Sequence, residues 1–204
     1  LLRMGKGEFD FAEMYTVQKT YLDRADKAVR THGDVSFSQG GSFYDVMYGM
    51  KHYGLVPEEV MRPGAMYGDS LSNHTELSAV SDAVVAAIAK GRLSSLQTDA
   101  EGTPLWKKAI ESIHEIYLGE APDTFTYNGK EYTPMSFYES TGLNPDDYVS
   151  LTSYTHHPFY SQFVLEIPDN WRWDLSYNLP IDELMEVFDN AIMNGYTIAW
   201  ASDV

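Results

Sequence analysis

Along the first 120 residues, apolar positions recur at spacings of three and four, which predicts helices rather than strands. Phe11, Met14, Tyr15, Tyr21, Ala25 and Val29 share one side of a segment running to about Thr31, with Asp10 and Glu13 as its N-terminal capping pair and Gly33 as its stop. Phe43, Val46, Met47 and Met50 mark a short one-sided helix from Ser42 to Gly54, ahead of Pro57. A turn-rich stretch, RPGAMYGDSLSN, precedes a third helix built on Leu77, Val80, Val84 and Ile88 and closed by Gly91. Trp106, Ile110, Ile113 and Tyr117 place a fourth over Leu105 to Leu118, closed by Gly119.

Beyond residue 120 the pattern shortens toward alternation. FTYNGKEYTP is a hairpin signal, because Asn128-Gly129 suits a turn with positive φ at both central positions. Tyr148 to Tyr154 alternates like a strand, and Gln162 to Ile167 reads as its neighbour. A last helix is expected from Pro180 to Gly195 with Ile181, Leu184, Met185, Phe188 and Ile192 inward. Thr197 to Ser202 (TIAWAS) then reads as a short buried strand. The class predicted is α+β: a helical part over 1–120, then a partial antiparallel β part over 121–204 carrying one helix.

Composition narrows the functions. With 44% hydrophobic and 22% charged residues in 204, the chain is globular rather than disordered, and no apolar run is long enough to cross a bilayer. Fourteen basic against thirty acidic residues give a net charge of −16, which repels a phosphate backbone and argues against nucleic acid as a partner. The absence of cysteine excludes disulfides, thiolate metal sites and a cysteine nucleophile within these residues. The opening, LLRMGKGEFDF, lacks a signal-peptide layout and reads as the last turn of a helix whose start is missing. Together with a strand at the other terminus, it predicts a piece truncated at both ends.

Few residues suggest chemistry. GDSLSN brings Ser70 into view as a serine nucleophile, but the preceding residues form a loop, and no aspartate has a histidine three positions on. His114-Glu115 starts a zinc-protease motif that fails at Leu118, where the second histidine would stand. His156 and His157 are adjacent, so their side chains are expected to point apart rather than share a metal, and His-Pro-Phe-Tyr reads as a bend. Trp171 and Trp173 read as a packed corner, with an aromatic ligand surface as the alternative. Gly40-Gly41 stands apart: bare backbone would let an extended peptide lie close and pair as an added strand, whereas the plainer reading is a relaxed loop entering a helix.

The surroundings of that glycine pair resemble the papain-like cysteine peptidases, specifically the bleomycin hydrolase and aminopeptidase C branch. SFSQGGSFYDVMYGMKHYGLVPEEVM (Ser36 to Met61) is similar to that branch's polar loop, glycine pair, helix and turn. GKEYTPMSFYESTGLNPDDYVSLTSY and LPIDELMEVFDNAIMNGYTIAWASDV resemble later segments in the same order, so the likeness covers nearly the whole chain. It implies a papain-like fold, with a helical lobe and part of the β lobe, and a thiol aminopeptidase acting on peptides without metal or organic cofactor.

By position, the resemblance implies that Gly40 and Gly41 hold the substrate backbone. Ser42 and Phe43 would lie near the second specificity pocket, with Trp200 or Ala201 on its opposite wall. Ser38 stands about where secreted members carry a disulfide cysteine, consistent with the non-disulfide branch; a cytoplasmic address is expected, an export signal ahead of residue 1 being left open. The branch's homo-hexamer is the assembly implied. All four catalytic groups (glutamine, cysteine, histidine, asparagine) would lie outside these 204 residues, leaving the chain alone inactive. A serine hydrolase at Ser70 and a non-catalytic binding or scaffold protein on the same fold remain the alternatives.

Overall fold

A computed structural model describes residues 1–35, 37–91 and 97–201. Four helices make the first part: α1 (Glu13–Arg30), α2 (Phe43–Tyr53), α3 (His74–Lys90) and α4 (Leu105–Leu118). Helix α1 is central and packs on the other three. One apolar cluster gathers Tyr15, Tyr21, Met50, Leu77, Leu118 and Phe137, and a second joins Ala25 and Ala28 of α1 to Val85 of α3 and Trp106 and Ile110 of α4.

Helix α1 is not capped by Asp10 and Glu13. Its N-cap is Ala12, with no side-chain cap. The residues ahead of it are spent on backbone pairing: Ala12 N–H donates to the Val56 carbonyl at 2.9 Å, and Glu58 N–H donates to that of Asp10 at 3.0 Å. Helix α2 has the reciprocal cap instead, between Ser42 and Asp45. Gly54 closes α2 at φ 83°, where a Cβ would lie 2.3 Å from the Pro134 carbonyl, so only glycine permits this approach.

The second part begins with the hairpin β1 (Phe125–Tyr127) and β2 (Lys130–Tyr132), turning at Asn128 and Gly129 with φ of 50° and 76° as the sequence predicts. A helix that apolar spacing does not reveal, α5 (Pro134–Thr141), follows directly, started by a Thr133–Ser136 capping box with proline in its first turn.

Three short strands then form one sheet: β3 (Leu151–Thr152), β4 (Gln162–Val164) and β5 (Leu175–Asn178). The two expected strands are not neighbours; β5 lies between them, parallel to β3 and antiparallel to β4, so the sheet is mixed rather than antiparallel. Strand β5 escapes an apolar-alternation reading because its buried positions are Ser176 and Asn178.

Helix α6 (Ile181–Met193) forms where predicted, but of its expected inward residues only Leu184 is buried. Ile181, Met185 and Ile192 are exposed. The expected terminal strand is likewise absent from 197–201, which make no backbone hydrogen bond among the described residues; an extended segment without a partner has no ladder to join. Ser202, its last position, and Ser36, the first of the glycine-pair motif, lie outside the described residues. No described helix is long and apolar enough to cross a membrane.

Candidate functional site

The loop carrying Gly40 and Gly41 is held from beneath by charge. Arg24 of α1 is fully buried, and its guanidinium donates to the Gly40 carbonyl at 3.1 Å, to Ser38 Oγ at 2.8 Å and to the Pro168 carbonyl at 3.4 Å. Burial lowers the Arg24 pKa from its ordinary value, opposed by the carboxylates of Asp169 and Asp45. One cation thereby ties the glycine loop to α1 and to the turn before Trp171.

On the other side, Asp45 joins α2 and its N-cap to the turn carrying Trp171 and Arg172. Its Oδ2 accepts from Ser42 N–H at 2.9 Å and from the buried Trp171 indole at 3.2 Å, and its Oδ1 accepts from Arg172 Nε at 2.7 Å. Arg172 also donates to Asp23 at 2.7 Å, and Asp23 accepts from the Tyr53 hydroxyl at 2.5 Å. The guanidinium lies 3.8 Å from the Tyr48 ring centre and 4.1 Å from that of Trp171, so cation–π contacts complete its surroundings. Burial lowers the Arg172 pKa, but its bonds to Asp23 and Asp45 outweigh this and leave it raised. The Tyr44 hydroxyl donates to the Leu175 carbonyl, fastening α2 to β5.

Both glycines are exposed. Gly40 has φ 88°, and a Cβ there would lie 3.1 Å from Asp169 Oδ1; a Cβ on Gly41 would lie 2.5 Å from Asp45 Oδ2. Each glycine therefore has a local cause, a left-handed backbone or a close carboxylate. Among the described residues, nothing pairs with the N–H or C=O of the exposed Gly41, which leaves one donor and one acceptor unpaired on a loop tethered by Arg24 and Asp45. Ser42 is half-buried, and Phe43 is 48% exposed beside it. Trp200 is not brought to these residues by any described contact: it is 59% exposed, with its ring 5.1 Å from that of Phe188 on α6. Ala201 is exposed as well.

Ser70 lies exposed on a shallow groove of about 460 Å³ shared with Glu58, Arg62, Pro63, Ala65 and Asp69. Its N–H donates to Asp69 Oδ1 at 2.7 Å, and no histidine contacts it among the described residues, so no base is there to activate it. His114 is fully buried against Tyr21 and is out of reach of solvent metal. The Trp171–Trp173 corner is packed as expected at Trp171, while Trp173 is exposed and carries Lys27 Nζ 3.5 Å from its ring centre. His-Pro-Phe-Tyr forms a bend, as its sequence suggests, but the expectation that His156 and His157 point apart is not met: their rings lie 4.5 Å apart.

Sequence reasoning missed Arg24, Asp23, Asp45 and Arg172. Only Asp45 left a local signal, the Ser42-x-x-Asp45 spacing of a helix cap.

No family model matches the chain. It is 27% identical over 199 residues to Aminopeptidase G of Lactobacillus delbrueckii subsp. lactis, covering 88% of this chain and 44% of that protein. Its fold is shared with PepW from Lactobacillus rhamnosis HN001, at a TM-score of 0.68 and 19% identity, over 96% of this chain and 53% of that one. The chain thus spans about half the length of each. The likeness to Aminopeptidase G supports the aminopeptidase resemblance carried by the motifs, and that to PepW shows a shared fold.

Proposed function

We propose that these residues form the central part of a cysteine aminopeptidase of the bleomycin hydrolase type, with a papain-like arrangement of a helical lobe over 1–120 and part of a β lobe over 121–204. The observation that carries this reading is the exposed, unpaired N–H and C=O of Gly41 on a loop fixed by Arg24 and Asp45. An extended peptide adds to such an edge as a strand adds to a sheet. Likeness to a protein named Aminopeptidase G over most of the chain supports peptide as the substrate. Gly40 and Gly41 hold the substrate backbone, with Ser42 and Phe43 beside the second specificity pocket; Trp200, which packs on Phe188, reaches that pocket's opposite wall only if the peptide-bound polypeptide brings the two together.

Cysteine is absent from the chain, so in this reading the nucleophile and its histidine partner are supplied from outside residues 1–204. No metal or organic cofactor takes part in the reaction, and the homo-hexamer implied by the resemblance belongs to the same proposal.

The polypeptide in which these residues occur is expected to hydrolyse aminoacyl fluorogenic substrates, with activity abolished by iodoacetamide and untouched by Ser70→Ala. The 204-residue chain alone is expected to show none. Iodoacetamide-resistant turnover, or a fluorophosphonate label lost in Ser70→Ala, contradicts the thiol reading and returns the serine hydrolase. Absence of any peptidase activity in the longer polypeptide leaves a binding or scaffold role.

A further inference from the structure

The bend between β3 and β4 is clamped by side-chain hydrogen bonds to a degree uncommon for a surface connection. Asn178 of β5 is fully buried, and its side-chain amide donates to the carbonyls of Tyr154, His157 and Pro158 at 2.9, 3.0 and 3.2 Å. Its Oδ1 accepts from Tyr154 N–H at 2.8 Å, and its backbone carbonyl accepts from Tyr160 N–H at 2.7 Å. The bend is therefore held at five points by one residue.

That scaffold fixes two imidazoles. The His157 ring is stacked on Phe163 of β4 at 3.9 Å and 19°, and the His156 ring lies edge-on to Tyr154 at 5.2 Å. Glu166, just past β4, returns to the same place: a possible ligand atom from each of His156, His157 and Glu166 lies within 4.8 Å of those of the other two. A separate observation points to a ligand. His157 Nε2 is buried and has no hydrogen-bond partner among the described residues, a state that costs free energy unless something pairs with it.

We propose that His156, His157 and Glu166 bind a borderline divalent cation of the Zn²⁺ class. Two imidazole nitrogens and one carboxylate oxygen are the donors that such ions prefer, whereas Mg²⁺ favours an octahedral set of oxygens. Three protein ligands leave a fourth position to water or an incoming group. The cation gives His157 Nε2 the partner it lacks and links the β3–β4 bend to the residues after β4. The site shares no residue with the glycine loop, and its proposal does not depend on the peptidase reading.

The test is calorimetric titration of the metal-stripped 204-residue chain with ZnCl₂, and separately with MgCl₂, at physiological ionic strength. Saturable binding of one Zn²⁺ per chain is expected, with no saturable Mg²⁺ site. His156→Ala and Glu166→Gln each weaken Zn²⁺ roughly tenfold or more. Both side chains are exposed, so the metal-free variants should melt with the wild type. Co²⁺ bound to the wild type should show visible ligand-field bands that His157→Gln removes, a readout independent of affinity. Zn²⁺ affinity unchanged in both His156→Ala and Glu166→Gln overturns the proposal. So does Mg²⁺ binding equal to Zn²⁺, which would mark diffuse attraction to a chain of net charge −16.

Discussion

Asp45→Ala is expected to lower the unfolding free energy by about 3–5 kcal/mol, because it leaves a buried guanidinium short of one of its two carboxylates. The Arg172 side chain is 12% exposed and that of Asp45 only 5%, so water cannot replace the lost contact. The same change frees the Trp171 indole and the Ser42 N–H, both of which donate to Asp45. Lys51→Ala removes an ion pair just as short, 2.6 Å to Asp146, but both partners are largely in solvent, and its cost should stay below about 1 kcal/mol. Urea titrations of the two variants separate these cases. Equal midpoints would mean that Arg172 is satisfied without Asp45, and that the glycine loop is not braced as described.

The second large effect is a pH dependence traceable to one residue. His114 is fully buried, with neither ring nitrogen hydrogen-bonded among the described residues, and desolvation pushes its pKa down to about 4 from the ordinary 6.5. Between those values the unfolded chain holds a proton that folding must expel, so the folded state is favoured above pH 6.5 and loses that advantage as pH falls toward 4. The loss attributable to His114 is about 3 kcal/mol between pH 7 and pH 4. Glu58, Asp82, Glu115 and Asp174 have carboxyls raised by burial and act in the opposite sense, so the total curve is a balance. Comparison with His114→Leu cancels them. That variant should match or exceed the wild type at pH 8, where only an unpaired imidazole is lost, and should outlast it below pH 5. Parallel stability curves for the two proteins would refute the assignment.

The helices were legible because burial on a helix repeats every three to four residues, and Leu77, Trp106 and Ile110 land inward as that spacing predicts. Three features defeated it. Strand β5 buries Ser176 and Asn178, whose polar atoms find partners only once β3 and its bend are in place. Helix α5 depends on a cap and a first-turn proline rather than on an apolar stripe, so its signal lies in Thr133-Pro134 and not in hydrophobic spacing. Helix α6 has the apolar spacing and still exposes most of it, since periodicity shows a face without showing what meets it. At the candidate site, the glycine pair was visible, but Asp23 and Arg172 are 149 positions apart, and no local pattern announces such a pairing.

Asn178 also sets an order of events. The bend it clamps precedes it by some twenty residues, so residues 154–160 cannot keep their shape as a local turn during synthesis or after a local opening of the sheet. Deuterium uptake at the Tyr154 and Tyr160 amides should therefore rise and fall in step with that of the strand 175–178, as one cooperative unit, and the two imidazoles should become rigid last of all.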